Sequence, residues 1–236
     1  ITIATTANGT DFGDLNYASR NIAGLSNQTR GLFAGGGDNP TFVDIIDFFT
    51  IATTGDATDF GNLSVTRKGT TGVSSPTRGL FGGGIVPGVI RVIDFVEIAT
   101  AGNATDFGDL NNTTLLQGAC SSRTRGLAAG AYPSASNVID FVTISSTGNA
   151  QDFGDMTFAS RNPVGTSSQI RGVIGGGFTT SPSNASYNNI DFITIASTGN
   201  AFDFGDLTSA RSEIFGSTSN SLRAVFMGGD ESPGGS

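Results

Sequence analysis

The sequence predicts an all-β fold built from repeated four-stranded sheets, and three observations predict it. The segment Asp-Phe-Gly-Asp/Asn-Leu/Met occurs five times, beginning at Asp11, Asp59, Asp106, Asp152 and Asp203, at spacings of 48, 47, 46 and 51 residues. That period belongs to propeller blades or to long helical repeats. The units are rich in Gly, Thr, Ser, Asn, Ile, Val and Phe, residues that favour strands and tight turns over helices. Each unit also breaks into four short strand-like pieces separated by turn residues. Together these give a five-bladed β-propeller with four antiparallel strands per blade.

The second full unit shows how the pieces arise in order. Gly69-Thr70-Thr71-Gly72-Val73 is a run of small residues and reads as strand a. Ser74-Ser75-Pro76 turns it into strand b, Arg78-Gly79-Leu80-Phe81-Gly82, which Gly83-Gly84 stops. After a variable loop, Val92-Ile93-Asp94-Phe95-Val96-Glu97-Ile98 alternates at period two and reads as strand c. A Thr100-Ala101-Gly102-Asn103 turn leads into strand d, Asp106-Phe107-Gly108-Asp109-Leu110. Both faces of such a sheet are apolar or small, so each sheet is expected between two like sheets.

The chain is read as one domain over 1–236, with repeat cores at 11–58, 59–105, 106–151 and 152–202 and a last blade shared by 203–236 and 1–15. On this reading Ile1-Thr2-Ile3 stands for Val96-Glu97-Ile98. Strands at the N-terminus then pair with strands at the C-terminus to close five blades into a ring. The small residues Gly24, Gly72, Ala119, Gly165 and Ser217 are expected nearest the crowded axis.

The order of marker residues resembles the kelch repeat, a family of β-propellers. An Arg stands before strand a (Arg20, Arg67, Arg161, Arg211), and a Gly-Gly pair closes strand b at Gly35, Gly83, Gly176 and Gly228. Ile-Asp-Phe marks strand c at Ile46, Ile93, Ile139 and Ile190. The sequence departs from the kelch pattern in having Phe where strand d of that family has Trp, and in a third unit that lacks both the Arg and the full Gly-Gly pair. The near-identical units also resemble repeat proteins carried by marine bacteriophages.

Composition removes several function classes. The chain has no histidine and one cysteine, Cys120. It therefore lacks the commonest general base, imidazole metal ligands and any Ser-His-Asp or Cys-His arrangement. A net charge of −8 is the wrong sign for nucleic-acid phosphates or anionic lipid. No apolar run approaches the roughly 20 residues that cross a bilayer as a helix, so membrane insertion is not expected. Asp-Phe-Gly lacks the other kinase elements and reads as strand d. The acidic residues form no calcium loop, and no metal or cofactor is expected. Cys120, in strand a, is expected to be buried and inert.

Two residue sets stand out. Arg30, Arg78, Arg125, Arg171 and Arg223 open strand b in all five units. They are read as structural braces to a carboxylate or carbonyl rather than as a ring for an anion. The b–c and d–a connections emerge on one face and differ between units, and they carry Tyr17, Asp38, Asn39, Tyr132, Phe158, Phe178 and Tyr187. Aromatic rings amid Asn, Ser, Thr and Asp suit sugar or protein contacts, so these seven are the expected ligand-binding residues.

The expected function is a non-enzymatic interaction or structural module that meets a glycan or protein receptor, extracellular or on a virion, with room for a place in a larger assembly. The alternatives are a sugar-acting propeller enzyme and a symmetric scaffold without ligand. For the enzyme, no histidine exists to build a copper site, and Glu97, Glu213 and Glu231 fall at positions of the repeat that do not coincide. No catalytic residue is assigned.

Overall fold

In a computed structural model, residues 8–37, 41–115, 117–181, 184–214 and 216–231 are described. Each run of small or β-branched residues between Gly, Ser and Asn turns becomes a strand, and four such strands make each blade. Blade 1 is β1 (Ala23–Ser26), β2 (Arg30–Ala34), β3 (Ile45–Thr50) and β4 (Thr58–Asn62). Blade 2 is β5 (Thr71–Ser74), β6 (Arg78–Gly82), β9 (Val92–Glu97) and β10 (Thr105–Asp109), with the ribbon β7 (Ile85–Val86) and β8 (Gly88–Val89) in its b–c connection. Blade 3 is β11 (Gly118–Ser121), β12 (Arg125–Ala129), β13 (Ser136–Thr143) and β14 (Gln151–Ser160). Blade 4 is β15 (Val164–Ser167), β16 (Arg171–Gly175), β19 (Asn189–Thr194) and β20 (Phe202–Asp206), with the ribbon β17 (Phe178–Thr179) and β18 (Ala185–Ser186). A last hairpin, β21 (Gly216–Ser219) and β22 (Ala224–Met227), follows.

The arrangement is that of a β-propeller with four blades, which corrects the expected five. Four sheets have the antiparallel order a-b-c-d, whereas among the described residues β21 and β22 pair only with each other. The expected closure by pairing N-terminal with C-terminal strands is likewise corrected. No hydrogen bond among the described residues joins 8–15 to β21–β22. The expected strand-c piece Ile1-Thr2-Ile3 lies outside the described residues. The physical reason lies in the strand-c cores: Ile-Asp-Phe occurs four times in the sequence, and among the described residues four a-b hairpins pair with a strand c.

Residues 11–15 take the position of a strand d beside blade 1. Gly55 and Ala57 donate their N–H groups to Phe12 and Asp14 carbonyls at 2.7 and 2.8 Å, as Gly102 and Ala104 do to Phe60 and Asn62.

The Asp-Phe-Gly-Asp motif is a β-bulge repeated in every blade. Ile46 pairs with Gly61 and Asp47 with Asp59, so Phe60 is the extra residue, and the same shift falls at Phe107, Phe153 and Phe204. The bulge turns Phe60, Phe107 and Phe153 into the joints between blades. Glycine follows because the next blade's c–d turn comes very close: at Gly154, φ is +143° and a Cβ would lie 2.5 Å from the carbonyl carbon of Gly199.

Among the described residues the apolar core forms three clusters, one in each joint between the four blades. Leu32, Ile46 and Phe60 of blade 1 meet Phe81, Val96 and Ile98 of blade 2. Leu80, Ile93 and Phe107 meet Val142 and Ile144 of blade 3. Leu127, Ile139 and Phe153 meet Ile174, Ile193 and Ile195 of blade 4. Cys120 is buried in this third cluster, and burial pushes its thiol up to about 12. Strands β1, β5, β11, β15 and β21 follow one another around the axis. They lie so close that a Cβ on Gly165 would meet the Ala119 carbonyl oxygen at 2.5 Å, which explains the small residues there.

Candidate functional site

Two devices hold the site's scaffold. The first is the Asp of strand c, which staples its blade to the residue that follows the preceding Asp-Phe-Gly-Asp/Asn-Leu/Met segment. Asn16, Ser64, Asn111 and Thr157 donate to Asp47, Asp94, Asp140 and Asp191, with side-chain bonds of 2.6 to 2.9 Å. Burial pushes Asp140 and Asp191 above the usual carboxylate range, while their bonds to Asn111 and Thr157 oppose the shift. The second is the Arg that opens strand b. Arg30, Arg78 and Arg125 each lie over the Phe of their own strand c at 4.6 to 4.7 Å. They then donate at 2.9 Å to the Ile98, Ser145 and Ile195 carbonyls of the next blade. Arg171 lies over Phe192 at 4.4 Å, but among the described residues its guanidinium finds no acceptor, nor does that of Arg223.

The arginines expected before strand a occupy two different positions. Arg67 and Arg211 fall where other units have Ser19 and Ser160, whereas Arg20 and Arg161 fall one residue later, at the place of Lys68 and Ser212. Arg67 is fully buried and donates to Asp94 Oδ2 at 2.9 Å and to the Phe81 carbonyl at 3.1 Å. Desolvation lowers its pKa, and the Asp94 charge opposes that shift. Arg161 instead stands on the loop face.

There Arg161 gathers two of the expected aromatic residues. Its guanidinium carbon is 4.6 Å from the Phe178 ring centroid and 5.5 Å from that of Tyr132, and Nη1 donates to the Pro133 carbonyl at 3.4 Å. Its backbone bridges Phe178 in both directions at 2.9 Å, which fixes the b–c ribbon of blade 4 against the d–a connection. Phe158 and Tyr187 form a second pair, with centroids 4.9 Å apart and planes tilted by 48°. Tyr17 lies apart from both, in a small recess of blade 1 with Leu15, Phe33, Val43 and Asp47. Asp38 and Asn39 lie outside the described residues.

The structure adds a feature at the axis. The entries of strands a surround a cavity of 210 Å³ lined by Ile22, Thr70, Gln117, Asn162, Pro163 and Ile214 among others, with no ionisable side chain. Among the described residues, Thr70 Oγ1, Gln117 Oε1 and Asn162 Oδ1 are buried without a hydrogen-bond partner. Asn162 takes φ of +53°, a conformation Asn tolerates better than most residues. It follows Arg161 directly, so the aromatic stack and the axial cavity adjoin. Lys68, 4.9 Å over the Phe42 ring, repeats the stacked cation on the same face.

Arg161, Asn162, Phe42 and Lys68 were not among the expected binding residues. The signal for Arg161 was its distance to Gly-Gly: 15 residues, against 16 for Arg67 and 17 for Arg211. No group of three or more metal-ligating side chains occurs among the described residues. No helix there is long and apolar enough to cross a membrane.

Compared with known proteins, the chain matches no family model and no curated sequence. What stands is the fold, a four-bladed β-propeller arrangement.

Proposed function

We propose that the protein is a non-enzymatic binding module, kelch-like in the order of its repeat, that holds a neutral hydroxyl-rich ligand such as a glycan on the b–c/d–a face. One observation carries this reading: the Tyr132–Arg161–Phe178 stack adjoins a cavity lined by amide, hydroxyl and apolar side chains with no charge among them. Flat rings offer contact area at small entropic cost, and amide and hydroxyl side chains suit bonds to ligand hydroxyls. The carboxylates of strand c favour a binder over a catalyst, because each is committed to a neighbouring blade. A glycan-facing module of this acidic composition belongs outside the cell or on a virion surface.

Glycan-array binding by the intact chain tests the proposal. Tyr132→Ala and Phe178→Ala are expected to weaken the best signal by about tenfold or more, the loss of one anchoring ring. Tyr17→Ala is expected to leave it unchanged. No saturable glycan, or equal binding by all three variants, would refute the reading.

A further inference from the structure

The d–a connections reach the axis through a repeated turn. Asn21, Gly69, Asn162 and Glu213 hold equivalent places in it, with φ of +56°, +70°, +53° and +53°. The residue after each, Ile22, Thr70, Pro163 and Ile214, lines the axial cavity, so these four stand at its rim. In the last unit both neighbours of the turn residue are anchored. Ser212 and Asp230 exchange backbone hydrogen bonds at 2.9 and 2.7 Å, and the Ile214 side chain is buried. Glu213, between these two anchors, is held in the left-handed region.

Three of the four residues suit that turn, and Glu213 does not. Glycine has no Cβ to clash, and asparagine is enriched several-fold at positive φ because its short side chain bonds locally; glutamate has neither advantage. A residue that its surroundings hold in a sparsely populated conformation costs stability, and such residues gather at binding sites. Glu213 is also the only charged member of the four. The chain's other two glutamates are engaged, Glu97 at 2.6 Å from Arg78 and Glu231 at 2.7 Å from Arg211. Glu213 is exposed, and its carboxylate bonds to no described residue.

We propose that Glu213 is a ligand-binding residue of the axial site, its carboxylate accepting hydroxyl hydrogens from a sugar unit seated in the cavity, an assignment that rests on reading this face as a glycan site. The cavity, at 210 Å³, falls below the roughly 300–1,000 Å³ that hold drug-sized ligands, so it takes one small unit. Its lining offers amide, hydroxyl and apolar contacts without charge. A carboxylate at the rim adds the strong acceptor that the lining lacks, since hydrogen bonds to an ionised oxygen are roughly twice as strong as neutral ones. Its two oxygens can take two neighbouring hydroxyls at once, which favours a sugar with a vicinal pair, and its charge turns away an acidic sugar.

The test pairs urea unfolding with binding on a glycan array, both on the intact chain. Glu213→Asn relieves the backbone and is expected to raise the urea midpoint, yet to weaken the strongest array signal by about tenfold or more. Glu213→Gln keeps the length and the strained backbone of the side chain; it is expected to leave the midpoint unchanged and to weaken the same signal by a smaller factor, because one carbonyl acceptor remains and the charge is lost. Stability gained while binding is lost is a result that a merely structural residue does not give. Unchanged binding by both variants would overturn the role of Glu213 and leave the glycan reading standing. A lower midpoint for Glu213→Asn would overturn the strain on which the assignment is built. An array on which the unmodified chain binds no glycan would overturn the assignment and the glycan reading together.

Discussion

The three closed joints and the flank beyond blade 4 are built from the same motif and reach opposite outcomes. In each joint the bulged Phe of strand d is covered by the next blade's strand c, the Asp of that strand is held by the residue that follows the Asp-Phe-Gly-Asp/Asn-Leu/Met segment, and the Arg of strand b reaches across. On the far side of blade 4 the Phe, Thr and Arg are all present at Phe204, Thr208 and Arg171, but strand c is not among the described residues. The motif therefore does not bury itself. Burial comes from the neighbour's strand c, and a blade is complete only when the sequence supplies that strand.

The sharpest break of this comparison sets Arg67 against Arg211, which share one register. Arg67→Ala strands Asp94 in a fully buried site and is expected to cost about 3–5 kcal/mol by urea unfolding. Arg211→Ala removes a contact to an exposed Glu231 and is expected to cost below about 1 kcal/mol. Nearly as large is the contrast between the bulged rings. Phe107→Ala is expected to cost about 3–5 kcal/mol and Phe204→Ala below about 1 kcal/mol, since the latter already meets water. Equal losses would mean that the flank is packed like a joint.

Glycine sharpens the comparison further. Gly154 and Gly205 have similar φ, +143° and +137°, so substitution by Ala strains both backbones by about 1–3 kcal/mol. Only at Gly154 does the new Cβ also strike a neighbouring carbonyl, so Gly154→Ala is expected to unfold at distinctly lower urea than Gly205→Ala.

The smallest effect is on pH dependence. Asp140 and Asp191 have folded-state pKa values raised by burial above the ordinary 3.8. The folded protein thus takes up these protons before the unfolded chain does. Their penalty is fully present above the raised values and is relieved as pH falls through them toward 3.8. Urea midpoints of the protein and of an Asp140→Asn/Asp191→Asn variant measured from pH 7 to pH 4 are expected to show the unmodified protein gaining on the variant. A relative loss would reverse the assignment.

Much of the fold was legible because it is local and repeated. Turn residues bound each strand, period-two alternation marks strand c, and the small residues of strand a sit where backbones touch. The number of blades was misread because strand d was counted, and five copies of Asp-Phe-Gly do not make five sheets when Ile-Asp-Phe occurs four times. The site was only partly legible. Tyr132, Phe158, Phe178 and Tyr187 carry an aromatic signal that composition shows, and they meet as pairs. Tyr17 carries the same signal, but its partners are set by blade 1 packing. Arg161 looked like the arginines before strand a until a one-residue offset placed it on the surface and Arg67 in the core. The axial oxygens of Thr70, Gln117 and Asn162 come from separate blades, and no short sequence window contains them.

The most direct test of the account is segment-resolved amide hydrogen exchange on the intact chain. Strands b and c of blades 1 to 4 are expected to exchange slowly and together, while β21, β22 and the outer strand β20 exchange orders of magnitude faster. Protection of β22 equal to that of β12 would show a flank sealed like the other joints and would contradict the four-bladed description.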